Sequence, residues 1–192
     1  MSRARQTSFL THETFHAAFR HLARREHGGT LSQGRRKRER PLDPRRPLHV
    51  ILRSTRAKDG WSMLRARHER RIKHLVHAVA RHHGVRIYRF ANSGNHLHLV
   101  IHATKREGYQ NYLRSLSGLI ARAVTGARKG HAKGRFWDAL AYSRVVEWGR
   151  DLKNLNFYVI LNELEGLGIW SRRFRGKPQP NDPGERPPPN NP

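Results

Sequence analysis

VRIYRFANSGNHLHLVIHA, residues 85–103, is the stretch on which the fold turns. Its two halves, Val85–Ala91 and His96–Ala103, are short and rich in β-branched and aromatic residues. Asn92-Ser93-Gly94-Asn95 between them is hairpin chemistry, so two antiparallel strands are expected. Alternate residues of a strand share a face; Leu97 and Leu99 therefore look toward a core, and His96 and His98 share the opposite side. Two strand rises put their Cα atoms roughly 6.6 Å apart, close enough for both imidazoles to converge on one ion. His102 shares the face but lies about 13 Å from His98 on the same rise. With 14 His in 192 residues, chance alone supplies about one His-x-His. The tripeptide gains weight only from its alternating apolar setting, and two solvent-facing histidines are the alternative.

Working outward, Leu48–Thr55 is β-branched and bounded by Pro47 and the Asp59-Gly60 turn, a strand signature. Ser62 is expected to cap a helix running to about His83, with Ile72, Leu75, Val76 and Val79 as its buried stripe and Gly84 as its stop. A second helix is expected over about 108–125, with Tyr109, Tyr112, Leu113, Leu116 and Ile120 on one face. A strand follows at about Tyr142–Glu147, then a last helix at about Asp151–Glu165. The order β-α-β-β-α-β-α predicts an α+β fold: a ferredoxin-like, largely antiparallel sheet with helices on one face and the other face available for a site.

The ends differ in composition. Residues 1–47 are rich in Arg and His, culminate in GRRKRERPLDPRRP, and are expected to form a flexible basic arm. Its Arg35, Arg36, Lys37 and Arg38 are candidate phosphate contacts. Residues 48–170 are the expected folded domain, and the proline-rich 171–192 an expected disordered tail. Net charge is +25, an excess that points to a polyanionic partner, nucleic acid above all. The absence of cysteine excludes disulfides and thiolate zinc sites, leaving His, carboxylate or amide ligands for any metal. No apolar run reaches the ~18–20 residues that span a bilayer. MSRARQTSFL lacks an apolar signal core, so a cytoplasmic location without membrane contact is expected.

On the last helix, Leu152, Leu155 and Val159 form the apolar stripe, while Asp151, Tyr158, Asn162 and Glu165 fall in a separate band about 60° wide. Tyr158 and Asn162, four apart, are neighbours. A phenol of pKa about 10 is a weak nucleophile at neutral pH, and it becomes useful against a phosphodiester when a metal polarises the phosphate. An amide oxygen one turn away is a suitable hard ligand for Mg²⁺ or Mn²⁺. The alternative is a Tyr158 packed in a groove and an Asn162 at a fraying end near Gly166. His49 and Arg53 share a face of the first strand and are candidate phosphate contacts or ordinary edge polar residues. Trp137, Trp148, Phe136 and Tyr88 are candidates to stack unpaired bases, with at most two expected to do so.

Together these residues resemble the single-tyrosine HUH transposases, and within them the REP-associated tyrosine transposases. The resemblance is carried by RPLHVILRS (46–54), GNHLHLVI (94–101), GRFWDALAYSRVV (134–146) and YVILNELEGLG (158–168), and covers about residues 46–169. It implies an HUH endonuclease-like fold, with His96, His98 and Asn162 as ligands of a divalent ion. It also implies Tyr158 as the nucleophile that forms a 5′-phosphotyrosine link and releases a 3′-hydroxyl. Family members commonly carry Asn-Pro after the tyrosine, where Glu163 follows Asn162 here, and the third ligand varies in type. Tyr142 is a rival nucleophile by residue type.

The expected function is a metal-dependent single-strand DNA endonuclease and strand transferase acting on hairpin or palindromic DNA, as monomer or homodimer. A non-catalytic nucleic-acid-binding protein on the same fold is the alternative. A histidine-based metallohydrolase using activated water is a third.

Overall fold

The computed structural model describes residues 26–32 and 39–170. In chain order its elements are β1 (Glu26–His27), β2 (Leu48–Arg53), α1 (Ala66–His82), β3 (Val85–Asn92), β4 (His96–Ala103), α2 (Arg106–Thr125), β5 (Tyr142–Val145) and α3 (Arg150–Gly166). From Leu48 onward this is the expected α+β order. The five strands pair antiparallel throughout, in the spatial order β1-β5-β2-β4-β3.

Alternation on β2 and β4 sets the layers. Leu48, Val50 and Leu52 join Leu97, Leu99 and Ile101 in one core, closed by Ile72, Val76 and Val79 of α1 and by Tyr109, Tyr112, Leu116 and Ile120 of α2. Val100, on the opposite side by the two-residue period, belongs to a second cluster with Ala91, Val146, Leu155 and Val159. Helix α3 therefore lies across the face that carries His96 and His98. The expectation that all helices share one face holds for α1 and α2 and is corrected for α3. It buries Asp151, Leu155, Val159 and Asn162 against the sheet.

Local details also differ. Ser62 does not cap α1; the helix begins at Ala66 after a 3-10 turn at Asp59–Trp61, and the Ser62 carbonyl faces Nδ1 of His68 at 2.8 Å. The hairpin forms where expected, with Gly94 in the left-handed region (φ +84) that its turn requires. Strand β3 is irregular between Ile87 and Arg89, which shifts its register on β4. The arm boundary at 47 is corrected as well. Glu26 and His27 pair with Arg144 and Ser143 of β5, and the Arg40 guanidinium donates to Ala141 O (2.7 Å) and Ser143 Oγ (3.0 Å). Arg35, Arg36, Lys37 and Arg38 lie outside the described residues, as does the proline-rich tail. Among the described residues no helix is long and apolar enough to cross a membrane.

Candidate active site

Helix α3 is held against the sheet at both ends. At its start, Asp151 receives two 2.9 Å hydrogen bonds from the Arg144 guanidinium of β5 and a third, at 3.0 Å, from the Glu147 amide. This ion pair is buried, with the carboxylate satisfied on both oxygens, the condition under which a buried pair is tolerated. At its end, Ser93 Oγ of the β3–β4 turn donates to the Asn162 carbonyl at 2.9 Å. A Cβ on Gly166 would stand 2.7 Å from Ser93 Cα and 3.0 Å from Asn92 O. Only glycine lets the helix approach the turn this closely.

That seating brings strand and helix residues together. The His96 and His98 rings are 4.8 Å apart between centroids, and the Tyr158 ring stands edge-on to His98 at 5.4 Å. Nε2 of His96 lies 3.4 Å from Oδ1 of Asn162. The Asn162 amide is oriented by its own Nδ2, which donates to the Tyr158 carbonyl at 2.7 Å. His98 and Asn162 are 1% exposed, so these polar groups are committed to the site and not to solvent. The band of Tyr158 and Asn162 thus faces the His-Leu-His strand.

The donor set fits a divalent cation. Nδ1 of His96 is 2.5 Å from the Asn95 side-chain oxygen, and in the tautomer that carries the proton on Nδ1 the ring donates there. Nε2 then turns a lone pair toward Asn162 Oδ1, another acceptor. Two acceptors facing each other repel on their own and are favourable with a cation between them. Ligands about 2.0–2.2 Å from an ion and near a right angle stand about 3 Å apart, close to the spacing observed. Among the described residues no group of three or more His, Cys, Asp and Glu forms a metal cluster.

Other residues singled out in the sequence fall differently. Arg53 is the cross-strand partner of His96, and its side chain is 68% exposed, with Nε 3.8 Å from Asp138. His49 is corrected: β2 is an interior strand, and His49 is 2% exposed, with Nε2 3.2 Å from Nδ1 of His98, so it is neither an edge residue nor open to phosphate. Trp137 is half-buried: it packs against the helix-side core beside Phe136 and donates its indole N–H to Ser117 O at 2.9 Å. Tyr88 and Trp148 are the exposed pair (42% and 54%), 6.3 Å apart, with the Trp148 indole pinned to the Arg45 carbonyl at 2.8 Å. Tyr142 sits near His49, and burial, then the charge of Glu26, pushes its phenol well above the usual tyrosine value. That makes it a poorer nucleophile than its residue type suggests. Sequence reasoning missed the role of Gly166 and the Arg144–Asp151 pair; the Asp151 position in the Tyr158 band was the available signal.

Residues 47–159, 113 of the 192, match the model of a protein family described as "Transposase IS200 like". The match takes in β2 through Tyr158. No match was found among curated proteins. Among solved structures, a candidate transposase from Deinococcus radiodurans R1 is similar at 16% identity, over 61% of this chain and 89% of its own, with a TM-score of 0.41. A likeness so distant carries no argument here.

Proposed function

The chain belongs to the family of IS200-like transposases, and from that premise we propose that it cleaves and rejoins single-stranded DNA through Tyr158. The observation that carries this reading is the meeting of His96 Nε2 and Asn162 Oδ1 at 3.4 Å, from a strand and a helix 66 residues apart, beside the Tyr158 ring.

In this reading His96, His98 and Asn162 hold Mg²⁺ or Mn²⁺, and a bound ion supplies Lewis-acid polarisation of the scissile phosphate. Arg53, cross-strand from His96, contacts a phosphate oxygen. Helix α3, fixed at Asp151 and Gly166, presents the Tyr158 hydroxyl to the phosphorus. The phenol loses its proton to solvent, its oxygen bonds to phosphorus, and the bond to the 3′-oxygen breaks. The leaving oxygen takes up a proton and departs as a 3′-hydroxyl, leaving a 5′-phosphotyrosine that a second 3′-hydroxyl can resolve by the reverse step. The resemblance to REP-associated members makes hairpin DNA the substrate we propose. The exposed Tyr88 and Trp148 offer faces for unpaired bases.

Incubation with hairpin DNA bearing single-stranded flanks and Mn²⁺, resolved on a denaturing gel, tests the reading. A covalent protein–DNA adduct is expected. Cleavage without adduct would favour hydrolysis by activated water, and binding without cleavage a non-catalytic protein.

A further inference from the structure

His49 has no part in the mechanism just described, yet it is one of the most deeply buried polar side chains among the described residues. It lies on the interior strand β2, in register with Val100 of β4 and Arg144 of β5. His98 is therefore its diagonal neighbour, within reach of a long planar side chain. The two rings are nearly parallel, 13° apart, with centroids separated by 5.5 Å. They are not stacked face to face. The centroid separation exceeds the 3.2 Å between His49 Nε2 and His98 Nδ1 by 2.3 Å, which is the two ring radii. The nitrogens lie on the line between the ring centres, in the ring planes, where imidazole lone pairs and N–H bonds point.

Two ring nitrogens meeting in this way share one proton, and the choice has a consequence at the far side of His98. With the proton on His49 Nε2, His98 accepts at Nδ1 and carries its own proton on Nε2, where it cannot bind a cation. With the proton on His98 Nδ1, His98 donates to His49 and turns a lone pair outward at Nε2. Only the second arrangement makes His98 a ligand.

We propose that His49 is a positioning residue: its Nε2 accepts the His98 Nδ1 proton, which fixes the His98 tautomer and aims Nε2 at the cation site. The assignment rests on the metal reading above and adds to it a residue that touches neither ion nor DNA. Outer hydrogen-bond partners of ligating histidines act in this way, orienting the ring and raising its basicity. Burial serves the same end, because water at His49 would offer His98 a competing acceptor and loosen the ring.

The test uses the full chain and two substitutions of contrasting chemistry. His49→Gln keeps an acceptor oxygen near the position of Nε2, whereas His49→Phe keeps a ring and removes the acceptor. Mn²⁺ affinity, measured by titration calorimetry without DNA, should fall about 10–100-fold in His49→Phe and no more than a few-fold in His49→Gln. Long-range ¹⁵N–¹H spectra of the metal-free wild type should show His98 protonated on Nδ1, a readout that needs neither metal nor a variant that folds. A His98 proton on Nε2, or His49→Phe binding Mn²⁺ as tightly as wild type, overturns the role of His49 alone. Wild type that binds no Mn²⁺ overturns the metal site itself, whatever the tautomer.

Discussion

His96 Nε2 and Asn162 Oδ1 stand 3.4 Å apart, brought face to face by a strand and a helix 66 residues apart in the chain. If a cation is what makes this pairing favourable, Asn162→Ala should weaken Mn²⁺ binding about tenfold or more, and Asn162→Asp, which adds charge to the same oxygen, should retain or tighten it. The Ser93 bond goes to the Asn162 backbone and survives either change. Equal affinity in all three proteins would remove Asn162 from the ligand set.

Tyr158 and Tyr142 both lie near the histidine cluster, and the Tyr142 phenol is pushed upward by burial and by Glu26. Tyr158→Phe should abolish the covalent adduct while leaving oligonucleotide affinity within a few-fold, since only a hydroxyl is lost. Tyr142→Phe should still form adduct. The reverse pattern on a denaturing gel would transfer the nucleophile to Tyr142.

Gly166→Ala places a methyl against the backbone of the β3–β4 turn, so helix or turn must shift. A loss of about 1–3 kcal/mol in urea unfolding is expected, with adduct formation reduced further than the fraction folded explains. Gly118, exposed in α2 with open space around its Cβ position, is the control. Gly118→Ala should gain about 0.4–1 kcal/mol and leave adduct formation unchanged. Parallel behaviour of the two variants would mean that the close approach of α3 to the turn is dispensable.

Asp151 neutralises Arg144 inside the sheet–helix interface. Asp151→Ala leaves the guanidinium buried without its counter-charge, and a loss of about 3–5 kcal/mol is expected. The double change Asp151→Leu with Arg144→Met removes both charges and should recover much of that loss. A single variant within 1 kcal/mol of wild type, by the same urea measurement, would show that the pair does not hold α3.

Trp148→Ala and Tyr88→Ala should each weaken binding of a single-stranded oligonucleotide by about 1–3 kcal/mol where a base stacks there, at an unchanged salt slope. Arg53→Ala should instead make the log–log slope shallower by about 0.7, one phosphate contact on a single strand. Fluorescence anisotropy across salt concentrations separates the two effects. A shallower slope in the tryptophan variant would count against stacking.

Much of the site was legible because its signals are local. The His-Leu alternation of 96–99 puts two imidazoles on one face by strand geometry alone. Asn92-Ser93-Gly94-Asn95 encodes its own turn, and a spacing of four puts Tyr158 and Asn162 on one side of a helix. The edge strand β1 was not legible, because Glu26-His27 is too short for any period and pairs only when β5 offers an edge.

From the sequence alone came the order of elements from Leu48 onward, the identity of the alternating strand, and the candidate residues His96, His98, Tyr158 and Asn162 that the fold brings together. These follow from backbone periods of 2 and 3.6 and from side-chain chemistry, which act within a few residues. Tertiary structure decided which face α3 covers, that His49 turns inward onto His98, that Trp137 packs against the helix-side core, and that Gly166 is a contact and not merely a helix end. Each depends on packing between segments far apart in the chain. An alternating strand has two faces that its own sequence can distinguish, but only the docking of another element determines which becomes a site.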